Sequence, residues 1–477
     1  MTLRLHNTLT KRLEKFTPIN PDQVTIYSCG PTVYDNVHIG NLSAFIAADI
    51  LRRTIVANGY AVKHVMNFTD VDDKTIRRSG EKYPDMDALD ALRKLTTEYG
   101  DIFLEDMQTI GNDTDALIFI KAADDSTIEG MRKLVSDLHA AGYAYIADDG
   151  VYFSIDAYKK SGKKYGQLVE LTEDNTSSER IANDEYGKDS AHDFALWKTK
   201  KSGEPAWEFE LDGRDLTGRP GWHIECSVMS SSQLGQPFDI HTGGIDLTFP
   251  HHENEIAQST ALTDNTTYAT MFVHNEHILV DGKKMSKSAK NFYTLRDLID
   301  KGVDPLVFRL LVLQSHYRNQ TQFSFENIEA THNRLKHWRA IAALRHQTHD
   351  TLVNDDDKAV LLLAANQAIV EALNDDMNTP EALKIIDGAF GQLDGKSIMD
   401  IHQHGLNQLL DTIDETLGLQ LQNSTPDISD KLKQKILERE RARDEKDWTK
   451  SDTIRSELLT AGIAVRDTAH GTAWEYR

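Results

Sequence analysis

The strongest constraint on the fold lies near the N-terminus, where two short strand-like runs bracket one helical pattern. Gln23-Val24-Thr25-Ile26-Tyr27-Ser28 reads as a short buried strand, and residues 42–56 repeat apolar side chains at the helical period. Tyr60-Ala61-Val62-Lys63-His64-Val65-Met66-Asn67-Phe68 reads as a second strand. Strand, helix and strand in close succession form the βαβ unit of a parallel sheet. Such sheets bind ligands beyond the carboxyl ends of their strands, where helix N-termini offer unpaired N–H groups and a positive dipole to anions. The segment in that position is Pro31-Thr32-Val33-Tyr34-Asp35-Asn36-Val37-His38-Ile39-Gly40-Asn41. There, Gly40 would let a nucleotide approach the backbone and His38 can donate to a phosphate oxygen. A turn with a capping histidine is the competing explanation.

Further along, residues 115–219 change to helix plus hairpin, with Asp149-Gly150 turning between Tyr145-Ile146 and Val151-Tyr152-Phe153, and read as an insertion. The sheet pattern resumes at Phe238-Asp239-Ile240 and Met271-Phe272-Val273, and after Phe323 the chain becomes almost wholly helical. Asn354-Asp355-Asp356-Asp357 and Gln422-Asn423-Ser424-Thr425-Pro426 are polar, turn-rich linker candidates.

Composition narrows the class. A chain of 477 residues with 39% hydrophobic and 27% charged content has room for several domains with their own cores. Cys29 and Cys226 are its only cysteines, too few for a disulfide framework, so packing, metal binding or catalysis explains them better. The first residues meet charge at once and lack the apolar run of a secretory signal. No stretch approaches the roughly 20 apolar residues that cross a bilayer. A cytoplasmic chain with no membrane contact is therefore expected. The net charge of −22 argues against indiscriminate nucleic-acid binding, which needs a dense basic surface, and DNA is not an expected partner. RNA recognised by shape and by unstacked bases stays compatible with it.

Two further constellations carry chemistry. Lys284-Met285-Ser286-Lys287-Ser288 follows a strand-like Ile278-Leu279-Val280 and the turn Asp281-Gly282. Its two lysines can close over a triphosphate and offset charge as pyrophosphate leaves, whereas a solvated charged turn is the plain alternative. The other constellation is Cys29, Cys226 in Gly221-Trp222-His223-Ile224-Glu225-Cys226, and His251 and Glu255 in Phe249-Pro250-His251-His252-Glu253-Asn254-Glu255. On a helix opening after Pro250, His251 and Glu255 at i and i+4 share a face. Two thiolates, an imidazole and a carboxylate suit tetrahedral Zn²⁺. His252, Glu253 and Glu225 compete as ligands, and a buried structural cysteine is the alternative for each thiol.

The His38 and Lys284 motifs, in this order, resemble the paired HIGH and KMSKS motifs of class I aminoacyl-tRNA synthetases. More of the chain resembles the cysteinyl-tRNA synthetase family, through Tyr27-Ser28-Cys29-Gly30-Pro31-Thr32, Asn67-Phe68-Thr69-Asp70-Val71-Asp72-Asp73-Lys74, Asp193-Phe194-Ala195-Leu196-Trp197-Lys198, Arg219-Pro220-Gly221-Trp222 with the residues to Cys226, and Ser315-His316-Tyr317-Arg318. Leu373-Asn374-Asp375-Asp376-Met377-Asn378-Thr379-Pro380 is similar to the family's helical anticodon-binding domain. Lys446-Asp447-Trp448 through Gly471-Thr472-Ala473-Trp474 is similar to its small C-terminal domain. Leu42-Ser43-Ala44-Phe45, where the family has an arginine, and Thr242 and Lys290, where it has glycine, are departures.

The resemblance implies an α/β fold: a Rossmann-like parallel-sheet catalytic domain at 1–114 and 220–322, a connective insertion at 115–219, an α-helical anticodon-binding domain at 323–423, and a small C-terminal anticodon-recognition domain at 424–477. It implies a monomer that activates L-cysteine with ATP to cysteinyl-adenylate and transfers the cysteinyl group to cysteine tRNA. The catalytic residues would be His38, Asn41, Lys284 and Lys287, with Thr32 and Gly40 joining them around ATP and Mg²⁺. The metal ligands would be Cys29, Cys226, His251 and Glu255, holding one zinc that selects the thiol in place of editing, and Thr32, Trp222 and His241 would form the substrate pocket. Thr69 and Asp72 read as a helix cap of the Ser/Thr-x-x-acid type. Residues 431–443 are locally basic, and beyond them Trp448 and Trp474 could stack on anticodon bases while Asp452 accepts from a base edge. Core packing competes for both tryptophans. A ligase of the mycothiol pathway, passing cysteine to an amino sugar, and a non-catalytic tRNA- or zinc-binding paralogue are the alternative functions.

Overall fold

The computed structural model describes residues 2–171, 176–181, 191–285, 291–347, 356–393, 402–468 and 471–477. The chain divides into two compact units, Thr2–Ile278 with Lys284–Asp297, and Leu279–Lys283 with Leu298–Arg477.

In the first unit the N-terminal reading becomes β1 (Gln23–Ser28), α1 (Ile39–Ala57) and β2 (Ala61–Phe68). α1 starts three residues before the apolar period does, because His38 caps it and the polar or small Gly40 and Asn41 occupy its first turn. After β2 comes α2 (Asp73–Lys82), and then β3 (Leu117–Lys121), which lies inside the 115–219 stretch expected as insertion yet pairs in parallel with β2. Later come α3 (Trp222–Leu234), β4 (Phe238–Gly244), α4 (Glu253–Thr260) and β5 (Ala269–Asn275). These strands form one parallel sheet in the order β5-β4-β1-β2-β3. The chain order reverses between β1 and β4, the switch point at which open α/β sheets leave a crevice. Cys29 follows β1 there, its N–H donating to the Thr242 carbonyl of β4 at 3.2 Å.

The expected cap of α2 needs correction. Asp72 is itself the N-cap, accepting from Lys74 N at 2.6 Å while Thr75 Oγ1 accepts from Asp72 N at 2.9 Å. Thr69 instead accepts from Asn67 Nδ2 at 3.1 Å. The cap lies three residues further on than the Ser/Thr-x-x-acid pattern placed it, because aspartate caps as well as threonine does.

The rest of the insertion forms its own sheet. Ala144–Ala147 and Gly150–Phe153 make the expected hairpin, Gly150–Phe153 pairs with Ala191–Thr199, and that strand with Gly218–Pro220. Trp197 is buried at its centre, its indole N–H donating to the Leu216 carbonyl at 2.8 Å.

The second unit is mainly helical, with Pro305–Leu313, Phe325–Ala343, Asp356–Asn374, Thr379–Leu393 and Gln403–Leu417 preceding Asp430–Asp444, Trp448–Thr460 and an antiparallel hairpin of Ile463–Thr468 and Gly471–Tyr476. Helix Pro305–Leu313 precedes the expected start at Phe323 and belongs to this unit. Of the linker candidates, 354–355 lie outside the described residues, Asp356 begins a helix, and 422–426 are turn and irregular chain.

Candidate active site and metal centre

A cleft of about 480 Å³ opens in the first unit beyond the carboxyl ends of β1, β2, β4 and β5, lined in part by Cys29, Thr32, His38, Gly40, Asn41, Trp222, Cys226, His251 and Lys284. The nucleotide-type motif lies at the N-terminus of α1. His38 Nδ1 accepts from Asn41 N at 3.2 Å, so the capping role is real, and its ring meets Phe292 edge-on at 5.0 Å. Tyr293 is held against this end of α1, with Ile39 N donating to its carbonyl at 2.9 Å. A Cβ at Gly40 would stand 2.5 Å from Met285 Cε and 2.9 Å from the His38 ring, so a side chain there would displace both. Lys284 is exposed at the cleft, while Lys287 and Lys290 lie outside the described residues.

The four candidate metal ligands converge. Cys29 directly follows β1, Cys226 sits in the second turn of α3, and His251 and Glu255 lie on the π-type turn Thr248–His252 and on α4. Their ligand atoms are buried and all within 4.8 Å of one another. Cys29 Sγ and Cys226 Sγ are 3.9 Å apart, where two thiolates on one tetrahedral zinc stand about 3.8 Å apart for bonds of about 2.3 Å. His251 Nε2 and Glu255 Oε1 are 3.1 Å apart, and Cys29 Sγ is 4.0 Å from that oxygen. The donor set and its spacing therefore fit a zinc ion.

The surroundings fix the protonation states and orientations of these groups. Burial lowers His251 to about 3, so its imidazole is neutral and can offer a lone pair. Burial and the neighbouring Cys226 thiol push the Cys29 thiol well above its ordinary range. For Glu255, burial raises the carboxyl, but His241, His251 and the bonds from His241 and Tyr268 outweigh it and hold it below the usual carboxylate value. His241 Nε2 and Tyr268 OH both meet Glu255 Oε2 at 2.9 Å, leaving Oε1 toward the other ligands. His251 Nδ1 is 2.9 Å from His223 Nδ1, and its ring stacks on Trp222 at 4.2 Å and 19°.

The competing ligands have different surroundings, with Glu225 buried on α3. Glu253 accepts from the N–H groups of Gly166, Gln167 and Leu168 at 2.7–2.9 Å, which commits it to the insertion. His252 makes a second possible set with Cys29, His241 and Glu255, its Nε2 3.3 Å from Cys29 Sγ. Neither His252 nor His241 lines the cleft, whereas Cys29, Cys226 and His251 do. His241, expected in the substrate pocket, is fully buried and reaches the site by holding Glu255. Tyr268 had no motif to mark it, and His223 and Asn67, which holds Gly30 N at 2.9 Å, lay inside sequence motifs without being assigned to the site. The packing of strand onto helix brings them in.

The expected RNA contacts divide. Trp448 is 56% exposed, with the Arg443 guanidinium 5.5 Å from its ring, and Asp452 is exposed on the same helix. Trp474 is 2% exposed and packs in a core with Ile436, Leu458 and Val465, so the expectation that it stacks on RNA is corrected. It pairs with Val465 across the terminal hairpin on the inward face. In the basic stretch 431–443, Lys433, Lys435, Arg439 and Arg443 pair with Asp427, Glu457 and Asp467, leaving a mostly neutralised face.

Comparison with known proteins accords with this geometry. Residues 15–333 match the family profile described as tRNA synthetases class I (C) catalytic domain, and residues 425–477 that described as Cysteinyl-tRNA ligase anticodon binding domain. A cysteine–tRNA ligase of Brachyspira hyodysenteriae is 38% identical over 485 residues, covering 98% of each chain. One from Leptospira interrogans is 39% identical over 486 residues, covering 99% of each. Among solved structures, Mycobacterium tuberculosis methionyl-tRNA synthetase bound by methionyl-adenylate superposes with a TM-score of 0.61 at 14% identity, covering 83% of this chain and 92% of that one, a likeness of fold.

Proposed function

This chain belongs to the cysteine–tRNA ligase family, with a class I catalytic domain, and from that premise we propose that its cleft activates L-cysteine with ATP to cysteinyl-adenylate and passes the cysteinyl group to the 3′ end of cysteine tRNA. One observation carries the assignment of the site: Cys29, Cys226 and His251 line the same cleft as His38, Gly40, Asn41 and Lys284.

In the first step the cysteine carboxylate attacks the α-phosphate of ATP and pyrophosphate leaves. No protein nucleophile is consumed, so positioning and charge stabilisation supply the catalysis. His38 and Asn41, at the start of α1, meet phosphate oxygens, and Gly40 lets the nucleotide reach the backbone. Thr32 lies beside them. Lys284 and Lys287 offset the charge that develops on the departing pyrophosphate, with Mg²⁺ accompanying the nucleotide. Cys29, Cys226, His251 and Glu255 are the residues that would hold zinc. When bound, zinc supplies a soft position that prefers a thiolate to a hydroxyl, where pocket shape alone separates such near-isosteres only about a hundredfold. Trp222 walls the pocket against His251, and His241 fixes the Glu255 carboxylate. In the second step a terminal ribose hydroxyl of the tRNA takes the cysteinyl group and AMP leaves.

We assign the insertion to the acceptor end of the tRNA and the last domain to the anticodon, with Trp448 and Asp452 as contacts. The match of 425–477 supports that last assignment, and an amino-sugar acceptor would leave this domain without a role. We also place the protein in the cytoplasm as a monomer. No described helix is long and apolar enough to cross a membrane.

The test is exchange of labelled pyrophosphate into ATP with cysteine or serine, with and without tRNA. Exchange with cysteine and not serine is expected, reduced about a hundredfold by Lys287→Ala with zinc content intact. Unchanged exchange in that variant would show the loop misassigned. Exchange without tRNA charging would point to another acceptor.

A further inference from the structure

We infer that Lys74, with Tyr34 beside it and Arg77 and Arg78 on the next turn of α2, receives the phosphates of the single-stranded 3′ end of the tRNA. The inference deepens the reading of the cleft as a tRNA-charging site and rests on it. Lys74 lines the cleft but follows β2, whereas the nucleotide loop around Lys284 follows β5. In the sheet order β5-β4-β1-β2-β3 these strands lie on opposite sides of β1. A cation on the β2 side therefore faces the cleft from the flank away from the nucleotide loop, where the second substrate has to approach.

The local chemistry leaves Lys74 available. A lysine in the first turn of a helix opposes the helix dipole, so its position brings no benefit to α2. Its two acidic neighbours have structural partners, although the Lys74 charge still acts on the Asp72 carboxyl. Asp72 caps the helix, and Asp73 pairs with Arg219 and, at 3.3 Å, with Lys198. The Lys74 ammonium stands 6.0 Å from the centre of the Tyr34 ring, which also lines the cleft. An aromatic face beside a cation is the usual platform for an unpaired base and its phosphate. Arg77 and Arg78, at i+3 and i+4 from Lys74, are exposed and continue the positive strip along one helix face, with Arg78 in a loose, exposed pair with Glu81 at 3.8 Å. α2 carries Lys74, Arg77, Arg78 and Lys82 against Asp73 and Glu81, in a chain whose net charge is −22.

The test separates the two half-reactions in the full-length zinc-loaded protein. For Lys74→Met, the kcat/KM for tRNA should fall about tenfold or more, as for loss of a charge-assisted contact. Pyrophosphate exchange should stay within about twofold of the parent, and Lys74→Arg should restore charging. The salt dependence of tRNA binding should become shallower by about 0.7 in log–log slope, one single-strand phosphate contact. The double variant Arg77→Ala, Arg78→Ala should weaken tRNA binding with a loss of slope of about 1.4, two such contacts. Loss of exchange in Lys74→Met would assign the lysine to the nucleotide and overturn the inference, as would charging at the parental rate. Parental protein that exchanged pyrophosphate but never charged tRNA would instead refute the reading of the site itself.

Discussion

Tyr268 offers the most direct measure of how the carboxylate ligand is held. Its hydroxyl and His241 Nε2 share Glu255 Oε2, each at 2.9 Å, while Oε1 faces His251 Nε2 and Cys29 Sγ. Tyr268→Phe keeps the ring, which packs edge-on against Phe238 at 5.1 Å and is buried, and deletes one donor. Ser230 Oγ loses its 2.6 Å partner but keeps the Ser227 carbonyl at 3.2 Å, so no buried hydroxyl is stranded. A hydrogen bond to a charged group contributes about 1.5–3 kcal/mol. Because His241 still holds Oε2, the lower figure applies, about 1.5 kcal/mol or roughly tenfold in zinc affinity, at the bottom of the range for partners that orient metal ligands. The assay is competition for zinc against a chromophoric chelator at pH 7.5, with near-ultraviolet circular dichroism of both proteins as the control for fold. A zinc affinity within twofold of the parent, with an unchanged spectrum, would refute the argument that Oε2 anchors the ligand. So would loss of all zinc together with the native spectrum, since that would mean the hydroxyl supports packing rather than the carboxylate.

Other outcomes follow from burial. His64 is held near 3 by burial against an ordinary value of 6.5, so between those values the unfolded chain binds the extra proton and stability falls as pH falls. At pH 5.5 the loss is about 1.4 kcal/mol, and His64→Gln should remove it, read as a smaller drop in the urea midpoint between pH 7.5 and 5.5; an unaltered pH dependence would contradict a neutral buried His64. Trp474→Ala should cost about 3–5 kcal/mol by thermal or urea unfolding, because it empties the core beside Ile436 and Leu458. Trp448→Ala should stay within about 0.5 kcal/mol in stability yet raise the KM for tRNA, and an unmoved KM would remove it from the RNA surface.

What the sequence revealed and what it hid differ in kind. The βαβ unit was legible because its strands are buried and its helix is amphipathic, so the period survives in the residues themselves; β1 and β2 came out at Gln23–Ser28 and Ala61–Phe68. β3 escaped because it follows a long excursion through α2 and the helix Ala88–Thr109 and carries no periodic signal of its own, so its membership in the sheet is decided by pairing with β2. In the metal cluster, i and i+4 spacing put His251 beside Glu255, but spacing could not separate His251 from His252 or dismiss Glu253. Hydrogen bonding accounts for Glu253, which is spent on three backbone N–H groups of the insertion across 85 or more positions of sequence, and only cleft lining distinguishes His251 from His252, both being buried. Trp474 misled for the opposite reason. A tryptophan near an expected RNA surface reads the same whether it faces in or out, and only the register with Val465 settles it.

The net charge poses a problem that the arrangement of cations answers. A polyanion cannot be gathered by a surface of charge −22 as a whole, so affinity has to come from places where basic side chains are not already paired. Counting lysines and arginines along the sequence favours 431–443, yet there Lys433, Lys435, Arg439 and Arg443 are neutralised by acids from neighbouring elements, and Arg439 is buried. Such cations hold the fold and have little left to offer a phosphate. At Lys74 the balance runs the other way, although Arg78 and Lys82 on the same helix pair with Glu81 and Glu98: Asp72 caps the helix and Asp73 pairs with Arg219 and Lys198, which leaves the Lys74 ammonium at the cleft. A carboxylate diverted to a structural partner thus frees a cation for a ligand, and it does so at the flank of the sheet that the nucleotide motifs leave open. The electrostatics of recognition in this chain depend less on how many cations a segment contains than on which carboxylates have been drawn away from them.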